Sequence, residues 1–101
     1  MALLNFKRKP IDKVDTSAEL EEFLQGYSIE VMPRTAEKIE RFQDILPKGT
    51  RVYIAHIEGT PIKDMVKTAA RLSDEGYAVM PHFPARIIKD KVTLEKWIDM
   101  Y

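Results

Sequence analysis

Residues 51–81 read RVYIAHIEGTPIKDMVKTAARLSDEGYAVMP, and this stretch decides the fold. Val52 to Ile57 is a short, nearly continuous apolar run rich in side chains that favour a strand. Thr60 and Pro61 then supply a cap and a first helical proline. Ile62, Met65, Val66, Ala69 and Leu72 fall on one helical face, and Gly76 can end the helix. Tyr77 to Met80 is a second apolar strand, stopped by Pro81, which has no N–H for a ladder. Strand, helix, strand in that order implies parallel strands joined by a helical crossover. Parallel sheets are covered on both faces, which accounts for the unbroken apolar character of these two runs.

Upstream the pattern repeats. Thr16 and Glu19 suit a capping box ahead of Leu20, Phe23 and Leu24, with Gly26 as the stop. Tyr27 to Met32 alternates like a strand and ends at Pro33. Thr35 is placed to cap a helix carrying Ile39, Phe42, Ile45 and Leu46, ended by Pro47 and Gly49. Downstream, Thr93 is placed to cap a helix with Leu94, Trp97, Ile98 and Tyr101 on one side, and that helix reads as unfinished. Met32, His56 and Met80 stand at matching strand ends with a constant step of 24 residues. Gly26-Tyr27 before Val31-Met32-Pro33 also resembles Gly76-Tyr77 before Val79-Met80-Pro81.

The fold class is therefore α/β, built of parallel βα units. Three units of even length are expected to be the first three-eighths of a (β/α)8 barrel of the TIM type, which needs about 250 residues. A doubly wound sheet is the alternative, and it too requires more strands. Residues 1–15 read as a basic leader and 16–101 as a partial barrel domain. Alone, that domain has unpaired sheet edges and an uncovered face, so self-association or a partner segment is expected.

With 45% hydrophobic and 32% charged residues in a chain of 101, the composition suits one soluble domain. Sixteen basic and sixteen acidic residues cancel, leaving no global field to draw the chain onto nucleic acid or an anionic membrane. The absence of cysteine excludes disulfides, thiolate zinc sites and cysteine nucleophiles, and a cytoplasmic location is expected. In the leader, Lys7, Arg8, Lys9 and Lys13 follow an apolar stretch of only Ala2, Leu3 and Leu4, too short for a signal peptide or a membrane span. A solvated leader is the expectation, with a phosphate-binding arm as its alternative. Glycines are scattered at 26, 49, 59 and 76, so there is no glycine-rich phosphate loop, dinucleotide fingerprint or nucleophile elbow.

In parallel α/β folds the reacting groups collect at the carboxyl ends of the strands. Successive strand side chains alternate between faces and the 24-residue step is even, so Glu30, His56 and His82 are expected on one face. Glu30 is flanked by Ile29 and Val31. A carboxyl in an apolar strand is costly to ionise, which would raise its pKa toward that of a general acid near neutral pH. The structural alternative is a buried Glu30 paired with Arg34 or a histidine. His82, between Pro81 and Phe83, can donate to a ligand carbonyl or phosphate, or be a satisfied rim histidine. The spacing of these three residues matches no metal-ligand pattern, so no metal site is expected.

Ile29-Glu30-Val31-Met32-Pro33-Arg34-Thr35 resembles the first barrel strand of the methylenetetrahydrofolate reductases, with its Phe-Glu-Phe-Phe-Pro-Pro-Arg-Thr type motif. The likeness continues through Arg51-Val52-Tyr53-Ile54-Ala55-His56 and a Thr-Pro-started helix. It reaches Ala78-Val79-Met80-Pro81-His82-Phe83, which is similar to the family's strand ending in Pro-His-Leu-Thr. It covers residues 27–101, the first third of the family's flavin-binding barrel.

The resemblance implies a cytoplasmic flavoprotein of one-carbon metabolism, an oxidoreductase binding FAD, a folate substrate and a nicotinamide cofactor. It implies Glu30 as the acid that protonates the folate and opens its five-membered ring to an iminium, which then accepts hydride from reduced flavin. It implies His82 against the flavin. Ala55 and His56 stand where the family's Thr-Tyr-Gly-Ala run meets the flavin, and one proline of the family's pair is absent after Met32. Two alternatives stay open: a folate-dependent one-carbon barrel with an altered flavin site, signalled by Ala55, and a non-catalytic docking subunit. As 101 residues the chain is expected to be inactive.

Overall fold

A computed structural model describes residues 15–101, so the basic leader expected over residues 1–15 lies almost wholly outside the described residues. The elements are α1 (Ser17–Leu24), β1 (Ser28–Val31), α2 (Pro33–Ala36), β2 (Arg51–Ile54), α3 (Ile62–Asp74), β3 (Ala78–Pro81) and α4 (Lys91–Met100). Single 3-10 turns cover Phe42–Asp44 and Ala85–Ile87. The three strands form one parallel sheet in the order β1-β2-β3, so the chain is mixed α/β with parallel βα units.

Helix α3 is set by local sequence. Pro61 precedes its first turn with the φ of −60° that the ring imposes. At its other end Gly76 takes φ +94°, and two bonds close the terminus: Gly76 N–H to Ser73 O at 3.0 Å and Tyr77 N–H to Leu72 O at 3.1 Å. This pair is a Schellman cap, and it turns the chain directly into β3. A Cβ on Gly76 would also meet the Lys48 side chain at 3.1 Å.

The inward stripe of α3, Met65, Thr68, Ala69 and Leu72, packs on Val31, Val52 and Ile54 of the sheet and on Ala36, Phe42 and Tyr77. Phe42, Ile54, Met65, Leu72 and Val52 are fully buried, each contributing about 1.5–3 kcal/mol of hydrophobic stabilisation. Among the described residues this core covers one face of the sheet. The other face, carrying Glu30, Arg51, Tyr53, Ala78 and Met80, stays exposed or half-buried, so the strands alternate instead of being buried on both sides.

Two expectations are corrected. The strands are four residues each, shorter than Tyr27–Met32 and Val52–Ile57. Single further bonds continue the ladder, from Ala55 N–H to Val31 O and from His82 N–H to Ile54 O. The helix expected after Thr35 is only the turn α2 and the 3-10 turn at Phe42. Arg71 of α3 donates to the carbonyls of Ala36 at 2.8 Å, Ile39, and Glu40 at 3.1 Å, and Glu75 accepts the Phe42 N–H at 3.1 Å. These are backbone groups that a continuous helix would pair internally, and the tertiary partners hold them instead.

The expected caps shift in the same way. The Thr35 hydroxyl bonds back to Met32 from inside the turn, and Asp90 rather than Thr93 caps α4, accepting the Thr93 N–H at 2.7 Å. The Thr16 side chain makes no cap bond, and Asp15 accepts the Ser17 N–H instead. At α3 the Thr60 side chain likewise makes no cap bond, while its carbonyl accepts from His56. Among the described residues no helix is long and apolar enough to cross a membrane.

Candidate functional site

The site is built at the carboxyl ends of the strands, on the uncovered face. Register sets Glu30 of β1 beside Tyr53 of β2, and Tyr53 beside Met80 of β3. His82 is two residues beyond Met80 and therefore returns to the same face. Its backbone is fixed by the bond to Ile54 O at 3.0 Å. The result is a row of side chains across all three strands. His82 Nδ1 stands 3.8 Å from Glu30 Oε1, and the His82 ring leans on Tyr53 with centroids 5.9 Å apart at 54°.

A depression of about 510 Å³ opens beside this row, lined by Glu30, Val31, Met32, Thr35, Ala55 and Ile57. Pro33 starts the turn α2 directly after β1, and the Thr35 hydroxyl accepts the Met32 N–H at 3.1 Å, so the loop next to Glu30 is held by its own sequence. A second hollow of about 560 Å³ lies at the amino ends of the strands, around Leu24, Tyr27, Lys48 and Arg51. It is at the opposite end of the sheet from Glu30 and His82.

Sequence reasoning placed Glu30, His56 and His82 on one face. Glu30 and His82 do share it, but His56 does not, because the register sets an odd-numbered residue of β2 between even-numbered residues of β1 and β3. His56 therefore points with Val52 and Ile54 toward the helices, and only 9% of it is exposed. Its Nε2 lies 3.0 Å from Thr60 O. A carbonyl only accepts, so Nε2 donates to it, while Nδ1 is buried and without a hydrogen-bond partner among the described residues. The ring lies 5.1 Å from that of Trp97 of α4. His56 thus ties the β2–α3 loop to α4, while Ala55, half-buried, faces the depression.

The burial expected for Glu30 is also corrected. Its side chain is 57% exposed, because Ile29 and Val31 point to the core while Glu30 points away from it. The basic side chain that stands beside it is His82, not Arg34. Among the described residues, no three metal-ligating side chains come together.

Tyr53 was not singled out from sequence, though the alternation of Arg51, Tyr53 and Ala55 against Val52, Ile54 and His56 was available to mark it as facing the site. No protein-family model matches the chain.

Proposed function

We propose that the chain supplies the opening βα units of a barrel that reduces methylenetetrahydrofolate to methyltetrahydrofolate, with Glu30 as general acid. The observation that carries this reading is the meeting of Glu30 and His82, from the first and third strands, at one end and on one face of a parallel sheet. That is the end where parallel α/β enzymes gather their reacting groups. The motif likeness around Glu-x-x-Pro-Arg-Thr and Pro-His supports it independently.

In this reading Glu30 donates its proton to a ring nitrogen of the folate, the five-membered ring opens to an iminium, and the carboxylate left behind faces the cation. His82 and Ala55, which flank Glu30 on the uncovered face, are the residues against which FAD would lie. FAD, when bound, supplies the hydride, and a reduced nicotinamide cofactor replenishes it. His56, turned to the other face, supports the loop that follows Ala55. The remaining walls of such a site belong to further βα units.

The test uses the natural polypeptide as the cell makes it. The reading expects a yellow protein whose flavin absorbance is bleached by NADH or NADPH without oxygen and restored by methylenetetrahydrofolate. A protein that holds no flavin, or a reduced flavin that this folate does not reoxidise, would overturn the reading.

A further inference from the structure

We propose that His82 is the residue that returns a proton to Glu30 after each turnover, held in place for this by Tyr53. This inference rests on the reading of Glu30 as the acid and answers what that reading leaves open, namely how the acid is recharged. Once Glu30 has given up its proton it is a carboxylate that must be reloaded before it can act again. Of the described side chains on its face of the sheet, those that carry an exchangeable proton are Ser28, Arg51, Tyr53 and His82. Hydroxyl, guanidinium and phenol side chains keep theirs at neutral pH. Imidazole is the side chain that loads and unloads a proton in that range.

The geometry suits the transfer. His82 Nδ1 is 3.8 Å from Glu30 Oε1, a gap closed by a small turn of either exposed side chain or by one water. Both side chains are partly exposed, Glu30 57% and His82 44%, so the pair as a whole meets the solvent from which the proton must come. Its backbone is anchored on Ile54 O, and its ring rests on Tyr53, so the ring approaches Glu30 from a fixed base.

In the step itself, the Nδ1–H bond of the imidazolium breaks as an O–H bond forms on Glu30. The bonding pair stays on Nδ1, leaving a neutral ring with its proton on Nε2. A hydronium ion or buffer acid in the solvent then gives the next proton to Nδ1, leaving water or the buffer's conjugate base, and no electron is exchanged. His82 acts through Glu30 and is thus a positioning residue for that proton.

The test compares His82→Gln with Glu30→Gln in the natural polypeptide, per bound flavin, measuring folate reduction in a single turnover and at steady state, with and without added imidazole. For His82→Gln the single turnover, taken per bound flavin because FAD would lie against this residue, should fall far less than the steady-state rate. Its steady-state rate should fall by about 10²-fold, and free imidazole should restore much of it. A structural role would slow both regimes together and would not respond to imidazole; that result, or an unslowed steady state, overturns the proposal. Glu30→Gln separates the two readings. If it stops folate reduction while His82→Gln is silent, the acid stands and the proton return fails; if it is itself silent, the acid reading fails and the proposal with it.

Discussion

Replacing Arg71 with Met should loosen the connection between β1 and β2, because one guanidinium holds three carbonyls of that segment. The bonds to Ala36 and Ile39 are partly buried and carry a charged donor, which makes them worth about 1.5 kcal/mol each. The bond to Glu40 is exposed and the Glu75 ion pair is partly so, and together they add little. The guanidinium also lies 5.2 Å from the Phe42 ring centroid, a contact worth about 0.5 kcal/mol. The expected loss is therefore about 3 to 4 kcal/mol for Arg71→Met. For Arg71→Lys it is about 2 kcal/mol, since an ammonium can reach only part of this fan of acceptors.

Urea unfolding of the natural polypeptide measures both. At a slope of about 2 to 3 kcal/mol per molar, Arg71→Met should lower the midpoint by roughly 1 to 2 M with the slope unchanged. Amide exchange at Phe42, whose N–H is bonded to Glu75, should accelerate in the same variant. A loss below about 1 kcal/mol, or equal losses for Met and Lys, would refute the argument that these bonds hold the segment in place of a helix.

Two further predictions concern the sheet and the last helix. The 101-residue chain by itself should self-associate or remain partly unfolded, since among the described residues one sheet face is uncovered and α1 buries none of its side chains. Sedimentation showing a monodisperse monomer that melts cooperatively would contradict this. Asp90 is held below the usual aspartate value by the Thr93 N–H that its carboxylate accepts. A carboxylate lowered in the folded state stabilises fully above its unfolded pKa, and that contribution is lost as pH falls through its folded pKa. The Thr93 amide resonance should therefore shift below about pH 4 as the cap releases, and Asp90→Ala should lack that step. Persistence of the step in Asp90→Ala would assign it to another group.

What the sequence reveals and what it hides divide along the range of the interactions. Helix α3 is legible almost to the residue because Pro61 and Gly76 act on their own neighbours. The parallel order of the strands follows equally from the helix between β2 and β3. The helix expected after Thr35 fails because Arg71 and Glu75, some thirty residues away, take its backbone groups, and no local pattern announces that.

At the candidate site the limit is register. A constant 24-residue step suggested one parity for Glu30, His56 and His82, but the pairing of Glu30 with Tyr53 turns His56 to the helical side and brings Tyr53 to the site. The exposure of Glu30 has the same origin, since which face of the sheet is covered depends on where the helices pack rather than on the residues flanking Glu30.

The central claim is that Glu30 delivers a proton to the folate, and Glu30→Gln in the natural polypeptide tests it most directly, because the amide keeps the shape but has no acidic proton. The two half-reactions are followed separately at the flavin. Reoxidation by methylenetetrahydrofolate should fall by about 10² to 10⁴ while reduction by the nicotinamide cofactor is nearly unchanged. Equal loss in both half-reactions, or undiminished reoxidation by the folate, would contradict the role assigned to Glu30.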